Sequence, residues 1–212
     1  GSPQTDGLLL EKDLVLRDCS ISECRQPMAY DFWFSPARVR AERVTVTRNR
    51  QGLDCAHLEA KDSIFSFNGG NGAAALTATF EGCLFENNGG DGLILTYGTV
   101  KNCVFRFNSG VGFWFDPDPG FLNLSGSLFY ANAGGAMYFG EQAVVTVDNC
   151  TITRHTGQPA IVISQADDVL FRHCTVADNV VIGSGDPWTW PYHPPGATLW
   201  NNACLSVSDT TS

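Results

Sequence analysis

Cys83-Leu-Phe85-Glu-Asn-Asn88, Cys103-Val-Phe105-Arg-Phe-Asn108 and Ser127-Leu-Phe129-Tyr-Ala-Asn132 are three copies of one phrase: a small residue, a ring two positions on, and Asn five positions on. Aligned on the small residue, the anchor, the phrase recurs at Cys19, Val44, Ser63, Cys83, Cys103, Ser127, Cys150, Cys174 and Cys204, in steps of 25, 19, 20, 20, 24, 23, 24 and 30. A period of this length marks a solenoid, whose units bury their apolar faces only by stacking on one another.

The residues around each anchor give the shape of one coil. Three and five positions before it stand small or apolar residues, such as Leu122 with Leu124 and Val145 with Val147, the alternation of a strand with one buried face. The anchor and the residue two after it form a second inward pair, Cys103 with Phe105 and Cys150 with Ile152 among them. A third apolar run follows a Gly-rich turn: Gly92-Leu-Ile-Leu95, Gly112-Phe-Trp-Phe115, Ala136-Met-Tyr-Phe139 and Pro159-Ala-Ile-Val162. Three short strands wound in one sense predict an all-β fold, a right-handed single-stranded parallel β-helix of about eight coils of 19–25 residues. Inside it should run a Cys/Ser ladder and an Asn ladder, the latter of Asn49, Asn68, Asn88, Asn108, Asn132 and Asn179, with Cys24 and His155 as substitutes. Asn is expected to take the left-handed backbone conformation of the turn while its amide bonds from coil to coil.

The β-helix is expected over 8–182, after a leading segment 1–7 that opens on a cloning remnant, Gly1-Ser2. An aromatic, Pro-rich loop, 183–198, and a last partial coil with its tail, 199–212, complete the chain. No signal peptide or spanning run stands out, and the sequence reads as an excised piece of a longer protein. Six of the eight cysteines fall at anchors and Cys55 points inward on a third strand, so they are expected as reduced core residues, with Cys19, Cys24 and Cys55 the pairings to check. Metal-type His/Cys spacing is missing and no cofactor is expected. A net charge of −9 argues against nucleic acid and anionic membranes as partners. Two positions before the anchor, Glu42, Lys61, Glu81 and Lys101 alternate in sign, a ladder suited to fixing register.

These repeats resemble the pectin-lyase-like right-handed β-helix superfamily over roughly residues 8–182. The Phe-x-x-Asn phrases ending at Asn68, Asn88, Asn108 and Asn132, with Gly134-Gly-Ala-Met137, also resemble the repeats of chlamydial polymorphic membrane proteins, which are adhesins. The first resemblance implies affinity for long polymers, usually polysaccharides, in lyases, hydrolases, epimerases, tailspikes and non-catalytic binding modules alike. By the same analogy the chain is expected outside the cell or on its surface, while reduced core cysteines leave the cytoplasm open.

Two sets of residues are candidates for function. Loops after the third strand carry Asp116 and Asp118, Glu141, Asp167 and Asp168, and Asp186. Stacked, Asp116, Asp167, Asp168 and Asp186 supply an acid and base pair for glycoside hydrolysis, and Asp116 with Asp118 offers hard oxygens to Ca²⁺. No lyase base is identifiable; His155 is expected as a turn residue, and His57 and His173 as surface positions on strands. The second set is aromatic. Outward positions on the third strand, Trp33, Asp54, Ala74, Ile94, Trp114, Tyr138 and Ile161, form a mostly apolar stripe, and Trp188, Trp190, Tyr192 and His193 stand in the Pro-rich loop. Such a stripe on a soluble rod is expected to meet a polysaccharide, a protein surface or a second copy of the chain. The expected function is a β-helix recognition module for an extended partner, with a carbohydrate-active enzyme and a structural or adhesin-like spacer as alternatives.

Overall fold

A computed structural model describes residues 13–25, 38–115, 119–164 and 166–179, with the backbone of 8–9, 28–29, 197–200 and 203–205. The chain winds as a parallel β-solenoid without helices among these residues. Second strands, from Ser20–Ser22 to Ala203–Leu205, form one nine-stranded sheet in strict coil order, and first strands form another from Leu14–Arg17 to Ala197–Trp200. Third strands stack six deep, from Leu53 through Ala73, Leu93, Phe113 and Met137 to Ile161. About six complete turns therefore stand where the repeat count predicts about eight, because the coils at either end lack a described third strand. Cys204 also departs from its expected place: Thr175 pairs with Ala203 and Val176 with Leu205, so a register shift takes up Cys204.

The step lengths have a simple structural origin. In Leu53–Lys61, Ala73–Glu81 and Leu93–Lys101 the third strand runs directly into the next first strand. In the later coils a loop intervenes, between Phe113–Phe115 and Gly120–Ser125, between Met137–Phe139 and Ala143–Asp148, and between Ile161–Ile163 and Asp168–Arg172.

Apolar side chains fill the coil in columns. Phe65, Phe85, Phe105 and Phe129 stack with centroids 4.9, 4.8 and 4.7 Å apart and ring planes within 8° of parallel. That separation is the spacing of paired strands, so identical residues at identical positions stack without leaving gaps. Where Phe80 enters from the first strand it meets Phe65 and Phe85 edge-on, at 6.0 and 5.3 Å. None of the seven described cysteines forms a disulfide, and five of them are buried. Anchor side chains also bond at the corner they occupy: the Ser63 hydroxyl donates to the Lys61 carbonyl at 2.8 Å and accepts the Val44 N–H at 3.1 Å, and the Cys103 and Cys174 thiols donate to Lys101 and Arg172. A small side chain fits this corner and a weak donor is satisfied there, so Cys and Ser fill it in all the described coils but that of Val44.

The Asn ladder forms as expected, with one correction. Asn108 shows the pattern: its N–H and side-chain NH₂ both donate to Asn132 Oδ1, at 3.1 and 2.9 Å, the NH₂ also donates to the Phe85 carbonyl at 3.1 Å, and its own Oδ1 accepts the same pair from Asn88. The left-handed residue, however, is the one before each ladder position, not the Asn itself: Glu23, Arg48, Phe67, Asn87, Phe107, Ala131, Arg154 and Asp178 have φ between 50° and 62°. An Asn amide that must face the axis cannot also sit at the outward-turned corner residue.

Each coil has a second left-handed corner, just before the anchor. Asp18, Arg43, Asp62, Gly82, Asn102, Gly126, Asn149 and His173 occupy it, with φ from 49° to 65°. Apart from Arg43 these are the residue types that bear positive φ at low cost. His173 consequently lies at a corner, with its ring on Asp148 at 2.9 Å, while His57 is on a strand as expected.

Candidate functional site

Third-strand register brings Asp54, Ala74, Ile94, Trp114, Tyr138 and Val162 into one outward column. Val162 replaces the expected Ile161, which is buried. The turn after His155 is one residue longer than the turns after Asn108 and Asn132, so the outward position moves on by one. Around Trp114 the alternation is as the sequence predicts, with Phe113 and Phe115 fully buried and Trp114 only partly buried between them.

Trp114 and Tyr138 stack on each other, centroids 4.2 Å apart and planes 25° apart. Each ring thus gives one face to its neighbour. The next residue in the column beyond Trp114 is Ile94, a smaller side chain, so the pair stands as an aromatic step at the end of a flatter run of Ala74 and Ile94. At the far end is Asp54, whose carboxyl burial pushes above the ordinary carboxylate range. Trp33, Trp188, Trp190, Tyr192 and His193 lie outside the described residues, as do Asp116, Asp118 and Asp186.

Of the loop carboxylates, Glu141, Asp167 and Asp168 are exposed. Asp168 opens a strand and pairs with Val144, three residues beyond Glu141. Among the described residues no group of three or more His, Cys, Asp or Glu side chains forms a metal cage. His155 is fully buried and sits in the ladder, with Nδ1 3.2 Å from the Asn132 N–H and its own N–H on Asn179 Oδ1 at 3.0 Å. Burial holds its pKa below the usual imidazole value. The buried Cys55 thiol is pushed up to about 12, chiefly by loss of solvent, and is chemically quiet.

A shallow groove of about 290 Å³ opens on the first-strand face beside the charge ladder. Its charges meet in pairs, Arg17 with Glu42 at 3.1 Å, Arg40 with Glu59 at 2.9 Å and Lys61 with Glu81 at 3.5 Å, which leaves little field for a ligand. The ladder residues stand opposite one another in the strand register, Glu42 by Lys61, Lys61 by Glu81 and Glu81 by Lys101.

The corner before each ladder position presents a different surface, which the Phe-x-x-Asn phrase does not mark because its Phe is the inner one. Phe67 is 56% and Phe107 47% exposed, and the same column carries exposed charges of both signs, Glu23, Arg48, Arg154 and Asp178. Tyr130 packs edge-on against Phe107 at 5.3 Å, and its hydroxyl accepts from Arg154 Nη1 at 3.0 Å. Bulky residues immediately before a ladder Asn, where Gly or Asn is easiest, were the available signal.

No helix among the described residues is long and apolar enough to cross a membrane. No curated protein and no solved structure matches the chain. A family model described as right handed beta helix region matches residues 4–139 and, in a second register, 62–185. With the stacked coils and their ladders, this match shows that the chain belongs to the right-handed beta helix family.

Proposed function

We propose that this chain is a recognition module that binds an extended polysaccharide along its rod. The observation that carries the reading is the outward, stacked aromatic pair Trp114 and Tyr138, which stands between Ile94 and Val162 in an apolar column. Strand pairing fixes these side chains at one-coil intervals, so the surface is ordered before a ligand arrives and little conformational entropy is lost on binding. A sugar ring seated over Ala74 and Ile94 would lie beside the Trp114 ring, its C–H groups against indole and its hydroxyls toward water.

The test is binding of the purified chain to a panel of polysaccharides by affinity electrophoresis, with Trp114→Ala and Tyr138→Ala beside the parent. Loss of retardation in both variants, with unchanged melting, is expected. Retardation equal to the parent in both would overturn the reading. Asp167→Ala combined with Asp168→Ala is expected to leave binding unchanged, since neither carboxylate stands in the aromatic column.

A further inference from the structure

The two left-handed corners of each coil face the same backbone requirement and meet it differently. Before the anchor the chain uses Asp, Asn, Gly or His in seven coils of eight. Before the ladder position only Asn87 and Asp178 are of that kind, while Phe67 and Phe107 stand there with their rings half in solvent. A left-handed backbone disfavours bulky side chains, so strain kept at an exposed position points to what the side chain meets.

The corner column is self-complementary when read from both ends. Backbone N–H groups from Arg48 to Ala131 donate to the next coil at 3.1–3.3 Å, so the corners follow one line at the strand spacing. Asn87 sits near the middle of that line. Phe67 and Phe107 stand one coil to either side of it, Arg48 and Ala131 two, and Glu23 and Arg154 three, about 14 Å away. Turned end for end about Asn87, a second copy sets Phe67 on Phe107, Arg48 on Ala131 and Glu23 on Arg154. Rings then meet rings, opposite charges meet at both ends, and each contact occurs twice, as an isologous interface requires. A parallel copy sets every charge on its own kind. A two-fold one coil further on, at Phe107, brings together one ring pair in place of two and sets Phe67 on Arg154, whose guanidinium already lies over the Tyr130 ring at 5.6 Å.

The neighbouring outward column of the second strands has the same plan. Ile64, Leu84, Val104 and Leu128 fill its central coils, with Thr45 before them and Thr151 after. An apolar centre inside a polar rim is the anatomy of a contact between proteins. Glu86, next to Asn87, is neutralised by Arg106 at 2.7 Å, whereas Glu23 and Arg154 stand in no ion pair among the described residues.

We infer that this edge joins two copies of the chain, antiparallel about a two-fold axis at Asn87, with Phe67 of each copy against the partner's Phe107 and Glu23 against the partner's Arg154. The contact leaves the third-strand column free and stands independently of the polysaccharide reading. An edge about 30 Å long and a few side chains wide falls at the small end of specific interfaces, so the dimer is reversible, with a dissociation constant on the order of micromolar.

Sedimentation velocity of the purified chain over about 1–300 µM reads the association. The parent is expected to pass from monomer to dimer as concentration rises. Phe67→Asn with Phe107→Asn, chosen because Asn bears positive φ, should stay monomeric over that range and melt no lower than the dilute parent. Glu23→Arg and Arg154→Glu, types this corner already carries, should each weaken the dimer about tenfold, and the two together should restore it. Trp114→Ala should leave association unchanged. A parent monomeric at every concentration overturns the inference, as does a dimer that survives the Phe variant. Association lost in Trp114→Ala and kept in the Phe variant moves the contact to the third-strand column and overturns the edge. A double charge swap no tighter than either single change overturns the antiparallel pairing.

Discussion

At the scale of single residues, the inner ladder decides stability. Removing the Asn108 side chain orphans the Phe85 carbonyl and the two Asn88 donors that met its Oδ1. Asn108→Ala is expected to lower unfolding free energy by about 1–3 kcal/mol, read from urea midpoints. His155 takes an Asn position with a ring whose Nδ1 stands where the other coils present an acceptor, and its Nε2 is buried without a partner. Protonation would bury a charge and turn the acceptor into a donor. Its folded pKa is depressed, so the unfolded chain takes up the proton first as pH falls. Its contribution is present in full above about pH 6.5 and is lost as pH drops through the folded value. Stability is expected to decline from pH 7.5 to pH 5, and His155→Asn should flatten that slope; an equal slope in the variant would place the loss elsewhere. The Asn column itself was legible, because six hits in one register leave little else it can be. Which residue turns left-handed was not, since Asn is suited both to the corner and to the ladder, and only the side chain's direction decides between them.

Among the elements, the Phe column carries most of the packing. Phe105 lies between Phe85 and Phe129 at stacking distance and touches Phe113 from the third strand. Phe105→Ala opens a cavity closed on every side by neighbours fixed in the sheet, and a loss of about 3–5 kcal/mol in denaturant unfolding is expected. A loss below about 1 kcal/mol would show that adjacent coils collapse into the gap. Strand identity and inward positions were readable because period-two alternation survives in every coil. Register of the last third strand was not: the stretch Thr156-Gly-Gln-Pro159 adds one residue to a turn, and a one-residue slip exchanges the inward and outward sets, Ile161 for Val162. The corner carrying Phe67 and Phe107 was hidden for a related reason. Without the backbone dihedrals an exposed Phe beside a core Phe looks like more core.

For the whole molecule, six stacked third strands set a ruler about 24 Å long, five interstrand steps, on which outward side chains repeat at a fixed interval. The outward third-strand column runs along one face of the coils, so a polymer laid on it meets a directional surface and not a uniform one. Recognition of an extended chain on such a ruler has a property that binding in a closed pocket lacks: affinity depends on how many coils the ligand spans. Isothermal titration with a length series of oligosaccharides from the best-bound polymer tests this most directly. Affinity is expected to climb with each added sugar until the oligomer spans the stacked coils and then to level off; a mono- or disaccharide binding as tightly as the long chain, or no binding at any length, would contradict it.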